Sequence, residues 1–389
     1  MLLDLFRVAL ASVDGRHCTR EALVLPPGTA PAGRRVWAAA VGKAASAMVL
    51  GAHDALGPAL ERTLLITKDG HVAPQAHALP NVEIFESSHP MPDQRSLAAG
   101  ERLLSWVSEL PPEVEPLFLI SGGASSLAEA LVPGATFAQL SALNARGLAS
   151  GLAIGELNAQ RAKLSRIKGG RLAAKLAGRP ARALFISDVP GHDPAVIGSG
   201  LMGPSGAEDD RIERRVIASI DLAVATACSH AQALGLSTWQ GAQAFDGLAD
   251  RLAVRFAHEL HMNTHQVRVW GGESVVNLPE NPGRGGRNQH LALVAARIIA
   301  GHDNLLLLVA GTDGTDGVTD DAGALVDGET CSRIALAELD VQKSLQTADS
   351  GTALAAAGDL IHTGPTGTNV GDLVIGLKLS RDAADELGA

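Results

Sequence analysis

Short apolar runs alternate with helix-like stretches along this sequence, and that alternation limits the folds open to the chain. In the first half, five runs are typical of buried strands: residues 36–41, 64–67, 82–85, 117–120 and 183–186. Stretches with the helical period lie between most of them, as at residues 94–110 and 137–151. Strands that alternate with helices form a mainly parallel sheet covered on both faces, so the sequence predicts an α/β domain.

The strand signal returns in the second half of the chain, at residues 267–270, 305–310 and 373–377. Residues 288–300 have the helical period between two of these runs, and residues 209–234 have a helical pattern before them. We therefore predict a second α/β unit. No proline- or serine-rich linker marks the junction, which we place near residue 230.

The charge balance argues against a nucleic-acid binder. The chain has 32 Lys+Arg and 42 Asp+Glu, a formal net charge of -10, and no basic run that could neutralise a row of phosphates. Aromatic residues make up 3% of the chain and tyrosine is absent, so rings that stack on bases are also scarce. We expect small molecules, and no nucleic acid, as partners.

The cysteines and the amino-terminal segment indicate the compartment. Cys18, Cys228 and Cys331 lie far apart without a CxxC pair, so neither a disulfide framework nor a thiolate zinc site is predicted. The first residues, MLLDLF, carry Asp4 and no basic leader, which favours an amphipathic surface helix over a signal peptide. The other apolar runs are shorter than the roughly 20 residues that a membrane span needs. We expect a cytoplasmic protein that does not enter a membrane.

Glycine-rich polar segments follow several predicted strands. In open α/β sheets, ligands bind beyond the carboxyl ends of the strands, where exposed N–H groups and helix N-termini form anion sites. The segment SGGASS follows residues 117–120, and its glycines allow close backbone approach while its serines add hydroxyl groups. It suits a phosphate or a carboxylate, although an ordinary tight turn would have the same composition. The candidate residues are Ser121, Gly122, Gly123, Ser125 and Ser126.

Three cations stand at predicted helix starts. Lys43 follows the strand 36–41, where the helix dipole disfavours an ammonium group unless an anion is bound. Arg284 and Arg287 lie in PGRGGRNQ, a glycine-rich lead into a helix, and a guanidinium there could bind an anion through two hydrogen bonds. Solvated surface side chains are the alternative interpretation for all three.

Carboxylates follow two further strands. SDVPGHDP places Asp188 and Asp193 in one loop, and GTDGTDGVTDD places Asp313 and Asp316 in another. Carboxylates at strand ends commonly bind Mg²⁺ beside a nucleotide, with water completing the coordination. Capping of Asx turns is the alternative for each aspartate by itself.

Two polar segments near the later strands add weaker candidates. GGESVV, with Glu273, follows residues 267–270, and GPTGTNVGD, with Asn369, precedes the last strand. GSGLMG at 198–203 matches the dinucleotide fingerprint GxGxxG, but Pro-Ser-Gly follows where a helix should begin. The chain has no GxxxxGK[ST] and no GxSxG, so neither a P-loop nor an α/β-hydrolase nucleophile is predicted.

Nine segments resemble the type 2 glycerate kinase family in their residues and in their order, over nearly the whole chain. They are VGKAA (41–45), ESSHPMPD (86–93), SGGASSL (121–127), SRIKGGRLA (165–173), SDVPGHDP (187–194), GGES (271–274), GRGGRNQ (283–289), AGTDGTDG (310–317) and PTGTNVGDL (365–373). The resemblance implies a larger Rossmann-like domain at 1–230, a smaller MOFRL-like α/β domain at 231–389 and an active site in the interdomain cleft. It also implies transfer of the ATP γ-phosphoryl group to the 2-hydroxyl of D-glycerate, with Mg²⁺.

Carried over residue by residue, the resemblance implies that Lys43 and Arg287 are catalytic cations and that SGGASS binds an anion. Asp188 is a further catalytic candidate, and Asp188 or Asp313 would bind Mg²⁺. The remaining candidates for substrate or ATP binding are Asp193, Glu273, Arg284, Asp316 and Asn369. The general base is not assigned, and a homodimer is left open.

The sequence departs from the family pattern at His192, where an acidic residue is expected, and at Leu201-Met202, where a proline is expected. Two alternatives to the kinase are also carried forward. An NAD(P)H-dependent hydroxypyruvate reductase would need a nicotinamide site, and a non-enzymatic sensor of nucleotides or small acids would keep the glycine loops without needing both cations.

Overall fold

The computed structural model describes residues 1–25, 33–150, 160–206, 211–262 and 264–379. Contacts group these residues into two compact units that interleave along the chain. The parallel-sheet unit comprises Val13–Ser219 and Gly367–Val370, and the mixed-sheet unit comprises Met1–Ser12, Ile220–Thr366 and the residues from Gly371 on. A division into successive domains near residue 230 stays a prediction.

Six parallel strands form the sheet of the first unit. In chain order they are β1 Val36–Val41, β2 Leu60–Lys68, β3 Val82–Ser87, β4 Glu115–Ile120, β5 Ala181–Ser187 and β6 Ile212–Ser219, and in space the order is β3-β2-β1-β4-β5-β6. The chain moves outward from β1 to β3 and then returns to place β4 on the other side of β1. Because ligands bind at such a reversal of strand order, the carboxyl ends of β1 and β4 are the favoured position in this sheet.

Helices of this unit include Gly15–Leu23, Ala45–Leu56, Pro74–His77, Gln94–Ser108, Ala124–Leu127, Phe137–Ser150 and Arg171–Ala174. The helix Gln94–Ser108 begins with a capping box, in which Asp93 accepts from the N–H of Ser96 and Ser96 accepts from the N–H of Asp93. Trp106 on its buried face packs edge-on against Phe118 of β4, with ring centroids 5.9 Å apart. Aliphatic side chains make up most of the rest of this core, together with Phe185 and Met202.

Seven strands make up the second sheet: β7 Thr238–Gln240, β8 Phe245–Leu248, β9 Val267–Val275, β10 Leu305–Gly311, β11 Gly323–Asp327, β12 Leu360–Ile361 and β13 Asp372–Lys378. The order is β12-β11-β10-β13-β9-β7, with β8 also paired to β9. The pairs from β12 to β9 are antiparallel, whereas β7 and β8 run parallel to β9. The helices are Leu2–Ser12, Ile220–Ala233, Ala249–His261, Arg287–Ile299, Thr330–Leu336, Val341–Gln346 and Ser350–Ala357.

The predicted α/β class and all eight predicted strands are confirmed. The helical pattern predicted for residues 209–234 is wrong in its first part, because β6 occupies Ile212–Ser219 before the helix Ile220–Ala233 begins; residues 209 and 210 lie outside the described residues. Glu213, Arg214 and Arg215 hide the strand pattern there, since β6 is an edge strand with exposed positions. Within the described ranges, the structure contains no helix with the length and apolarity to cross a bilayer.

Candidate functional site

In the parallel-sheet unit, the loops that follow β1 and β4 are tied together at the strand reversal. The Lys43 N–H donates to the Gly122 carbonyl at 2.9 Å, and Ser121 Oγ accepts from the Ala44 N–H at 3.0 Å. Gly42 has φ +136°, and a Cβ at this position would lie 2.1 Å from Ser121 Oγ. Only glycine permits this approach, so the backbone on both sides of Lys43 is fixed to the Gly–Ser loop.

The glycine pair of this loop lets four side chains approach the backbone. A Cβ on Gly122 would lie 2.0 Å from Asp188 Oδ2 and 2.2 Å from Asn369 Nδ2. Gly123 has φ +84°, and a Cβ there would lie 3.0 Å from Lys43 Cγ and 3.2 Å from His89 Cδ2. The glycines are therefore required by close contact as well as by conformation, and they bring together the side chains of Lys43, Asp188, Asn369 and His89.

Asn369 and His89 show what the sequence left unresolved. Asn369 lies 181 residues from Asp188, yet its Nδ2 is 3.5 Å from Asp188 Oδ2. Its segment, Gly367–Val370, belongs to the parallel-sheet unit although its flanking residues do not. His89 is not among the predicted site residues, and its position in the family-like segment ESSHPMPD is the sequence signal that indicates it.

The serines of the loop have different neighbours. Ser125 Oγ shares a 2.7 Å hydrogen bond with Ser199 Oγ, whereas Ser126 Oγ donates back to the Gly123 carbonyl at 3.1 Å. Asp193 is exposed, and its Oδ1 accepts from the Ala195 N–H at 2.8 Å, which is the turn geometry considered as its alternative role. The assignment of these side chains to ligand binding stays a prediction.

In the mixed-sheet unit, three strand segments and a helix start converge on Asp372. Asp372 begins β13 and is paired with Gly311 at the end of β10 and with Gly272 in β9. Its carboxylate is fully buried and accepts from Arg287 Nε at 2.7 Å and from Arg287 Nη2 at 3.0 Å. Asn288 Nδ2 adds a third hydrogen bond at 3.0 Å. The guanidinium group is therefore held by two parallel hydrogen bonds at the start of its helix.

A second carboxylate contacts the outer part of the same guanidinium. Arg287 Nη1 lies 2.7 Å from Glu273 Oε1, and about a third of the arginine side chain (34%) is exposed. Burial acts to lower the pKa of Arg287, but the charges of Asp372 and Glu273 outweigh it and hold the pKa well above its ordinary value. Glu273 lies within β9, so the interpretation of GGESVV as a segment that follows the strand was wrong. Arg287 is a fixed cation with an accessible edge.

Asp316 caps the helix that begins at Arg287. Its two carboxylate oxygens accept from the N–H groups of Asn288 and Gln289, at 3.1 and 2.8 Å. A Cβ on Gly286 would lie 2.2 Å from Asp316 Cγ, so this glycine is needed for the capping contact. Burial raises the pKa of Asp316 to about 7, although the two backbone N–H groups favour the charged form. Its contacts are those of a helix cap, and a role in substrate binding stays a prediction.

Arg284 precedes the helix that begins at Arg287, and Asp313 follows β10 later in the chain. Arg284 Nη2 binds Asp321 Oδ2 at 2.8 Å, and half of the arginine side chain (49%) is exposed. Asp313 is buried, and its Oδ1 accepts from the Thr315 N–H at 3.1 Å. In the part of the chain that the structure describes, no three His, Cys, Asp or Glu side chains are grouped to bind a metal ion. The roles of Asp188 and Asp313 as Mg²⁺ ligands stay predictions.

The segment GSGLMG lacks the structure of a dinucleotide fingerprint. Residues Ile197–Gly200 form a 3₁₀ turn in which Gly198 and Ser199 have positive φ, and no helix begins within residues 201–206. Leu201 and Met202 are completely buried in the hydrophobic core of the parallel-sheet unit. The departure from the family pattern at these two residues therefore serves packing.

Comparison with protein families gives two matches that together cover most of the chain. The model described as "Domain of unknown function (DUF4147)" matches residues 1–235, and the model described as "MOFRL family" matches residues 266–372.

Relatives match over nearly the same span. The D-glycerate 2-kinase of Thermotoga maritima is 35% identical over 381 residues, which cover 88% of this chain and 90% of that protein. A protein of Agrobacterium vitis with the provisional name hydroxypyruvate reductase is 36% identical over 376 residues, which cover 85% of this chain and 96% of that protein. The crystal structure of a Thermotoga maritima glycerate kinase matches with a TM-score of 0.82 and 32% identity, over 97% of this chain and 98% of that one.

Proposed function

Because the chain belongs to the type 2 glycerate kinase family, with its DUF4147 and MOFRL regions, we propose that it transfers the γ-phosphoryl group of ATP to the 2-hydroxyl of D-glycerate. The products are 2-phosphoglycerate and ADP. The observation that carries the proposal is the match to a D-glycerate 2-kinase over 90% of that protein's length. The two cation sites described above are of the kind that this reaction needs.

Phosphoryl transfer demands alignment of the reactants and positive charge on the moving group, with little covalent chemistry for the protein. Lys43 supplies an ammonium beside the Gly–Ser loop, and its own N–H is fixed to Gly122. The loop adds backbone N–H groups and hydroxyls at the carboxyl end of β4, which suits the phosphates of a nucleotide or the carboxylate of glycerate. We propose that Lys43 neutralises charge on the transferred group.

Arg287 is proposed as the second catalytic cation. Its guanidinium plane is set by the buried Asp372, so it does not have to be ordered when a substrate binds. Its outer edge, which now contacts the exposed Glu273, is the part that can bind an anion. A planar donor held in this way can bind two oxygens of a phosphoryl group at once.

Mg²⁺ is proposed to bind together with the nucleotide. In kinases this ion usually takes one or two carboxylates, substrate phosphates and water, and when bound it neutralises charge on the phosphates. Asp188 fits such a role because it is only half-buried and lies against the Gly122 backbone beside the Asn369 amide. Asp313 is the candidate in the mixed-sheet unit.

An assay with enolase tests the proposal. The protein is incubated with ATP, Mg²⁺ and D-glycerate, and enolase reports 2-phosphoglycerate because it accepts the 2-phosphate and not the 3-phosphate. We expect formation of phosphoenolpyruvate that depends on all three components. The matched control replaces them with hydroxypyruvate and NAD(P)H. Oxidation of the nicotinamide without any kinase product would establish the reductase, and activity in neither assay would favour the sensor.

A further inference from the structure

A buried ion pair lies among residues to which the proposed chemistry assigns no role. Lys168 Nζ donates to Glu129 Oε2 at 2.6 Å, and the two side chains are 2% and 0% exposed. Burial lowers the pKa of Lys168, an effect that the Glu129 charge opposes. Arg161 is a second positive charge that interacts with Glu129. A lysine with so little exposure does not touch a substrate, so the pair has a different purpose.

Glu129 is fixed behind the Gly–Ser loop. It comes two residues after the one-turn helix Ala124–Leu127, which continues directly from that loop. Its N–H donates to the Ser96 carbonyl at 2.9 Å. A Cβ on Gly100 would lie 2.1 Å from the Glu129 carbonyl oxygen, so the backbone of Glu129 packs tightly on the neighbouring helix. The backbone of Glu129 is therefore held rigidly just after the carboxyl end of the loop Ser121–Ser126.

Upstream of Lys168, the chain pairs with the segment that contains Glu129. The Val132 N–H donates to the Leu164 carbonyl at 2.9 Å, and the Arg166 N–H donates to the Ala130 carbonyl at 2.6 Å. These bonds bring Lys168 close to Glu129 at the end of a short antiparallel pairing. The ion pair closes this pairing at its end.

Downstream of Lys168, the chain turns to the residue that contacts the loop. The Gly169 N–H donates to the Ser199 carbonyl at 2.9 Å, and the Gly170 N–H donates to the Gly200 carbonyl at 2.7 Å. Ser199 has φ +57°, a conformation that a serine adopts only when its surroundings impose it. Its Oγ is 2.7 Å from Ser125 Oγ. Lys168 thus links the segment around Glu129, which follows the loop Ser121–Ser126, to Ser199, which contacts that loop.

Energetics separate this role from simple stabilisation. A buried ion pair is often no more stable than apolar residues of the same volume, because both charges lose their hydration, whereas removal of one partner leaves an uncompensated buried charge and is strongly destabilising. If the pair served only to stabilise the fold, apolar residues of similar volume could replace it without loss of stability. We propose that the Lys168–Glu129 pair positions the loop Ser121–Ser126 by holding Ser199 against Ser125. Only its effect on catalysis rests on the proposed function; its effect on loop order does not.

Hydrogen exchange of the loop amides is the test, read on the double variant Lys168→Met with Glu129→Gln. The glutamine keeps an acceptor for the Ala130 N–H, which now donates to Glu129 Oε1 at 2.9 Å, and the double change removes both charges of the ion pair. We expect amides of residues 121–127 and 199–200 to exchange about 10-fold faster, with little change in the thermal midpoint. The single variant Lys168→Met should lower the thermal midpoint, which confirms that the pair was disrupted.

The matched control is the double variant Arg16→Met with Asp54→Asn. This pair, with Nε 2.5 Å from Oδ2, joins the helices Gly15–Leu23 and Ala45–Leu56 of the same unit, and Asp54 lies near the end of its helix that is remote from the loop. Its loss should leave exchange of residues 121–127 unchanged. Unchanged loop exchange in the Lys168→Met, Glu129→Gln variant would overturn the proposal, and so would faster exchange spread evenly over the unit.

Enzyme kinetics give a second and separable readout. If wild type makes 2-phosphoglycerate, the Lys168→Met, Glu129→Gln variant should lose kcat/KM by up to about 10²-fold, because small misplacements of a binding group have such effects. Full activity together with a loosened loop would contradict the catalytic part of the inference. If wild type has no kinase activity, the proposed function fails, and the exchange experiment still decides the positioning role.

Discussion

The two cation sites are built by different means. In the parallel-sheet unit, glycines and backbone hydrogen bonds shape the site, and the proposed catalytic cation is the ammonium group of Lys43. In the mixed-sheet unit, a fully buried carboxylate fixes a guanidinium through two hydrogen bonds. The first arrangement can adapt to a ligand, whereas the second is set before a ligand arrives. We therefore expect substitutions at the two sites to affect activity and stability in different proportions.

Glycine also serves different purposes in the two regions. Gly122 and Gly123 let side chains approach the backbone that we expect to bind an anion. Gly286 instead lets Asp316 approach the start of a helix, and so supports Arg287 indirectly. Loss of a glycine should remove the ligand site in the first case and displace a supporting cap in the second.

The largest effect is expected for Arg287→Lys. Lysine keeps the charge but loses the planar pair of donors, so kcat and kcat/KM should both fall by around 10²-fold or more. The thermal midpoint should also fall, because the buried Asp372 loses one of its hydrogen bonds. Arg333→Lys, in the same unit and also ion-paired, is the control. A rise in KM alone would make Arg287 a binding residue instead of a transition-state group.

Lys43→Met should lower kcat nearly as much, by up to about 10²-fold, while the thermal midpoint stays within about 1 °C of wild type. The reason is that Lys43 is only half-buried and the backbone bonds around it do not involve its side chain. Lys175→Met, at an exposed position of the same unit, is the matched control. Near-wild-type turnover at saturating ATP and D-glycerate would show that the catalytic cation of this unit is a different residue.

Gly122→Ala should lower kcat/KM by about 10-fold and destabilise the fold by about 1–3 kcal/mol, since the new methyl group would displace Asp188 and Asn369. Steady-state kinetics and denaturant unfolding measure the two effects. Gly178→Ala is the control, because it has φ +76° and open space around it, so only backbone strain is introduced. Equal kinetic losses in both variants would indicate a general effect on folding.

The smallest effect concerns Asp316 and pH. Its folded pKa of about 7 lies above the ordinary value of 3.8, so the folded state binds the proton more tightly than the unfolded state does. Its contribution to the free energy of unfolding is therefore present below about pH 4 and is lost as pH rises through about 7. Unfolding free energies of Asp316→Asn should consequently fall less between pH 5 and pH 8 than those of wild type. Parallel pH profiles would contradict this interpretation.

The sequence predicted the features that depend on neighbouring residues. Lys43 and SGGASS were identified because each lies directly between a predicted strand and a predicted helix. The structure adds that β1 and β4 are adjacent, which makes those loops neighbours. The family resemblance, confirmed by the comparisons, added the kinase chemistry.

Long-range contacts could not be predicted in this way. Arg287 and its partner Asp372 are 85 residues apart, and no local pattern indicates that they meet. Asn369 contacts Asp188 from the segment Gly367–Val370. This segment belongs to the parallel-sheet unit, whereas the residues on both sides of it belong to the mixed-sheet unit. Glu273 was predicted to follow the strand because glycines at 271 and 272 interrupt the apolar pattern of β9. In the structure these two glycines pack against Ile220 and Phe245.

Phosphorus NMR of a single reaction tests the central claim most directly. Wild-type protein, ATP, Mg²⁺ and D-glycerate are followed in one tube, without coupling enzymes. We predict loss of the γ-phosphate signal, formation of ADP and a new phosphomonoester resonance split into a doublet, because the 2-phosphate is attached to a carbon with one hydrogen. A triplet from the 3-phosphate, or release of inorganic phosphate alone, would contradict the account.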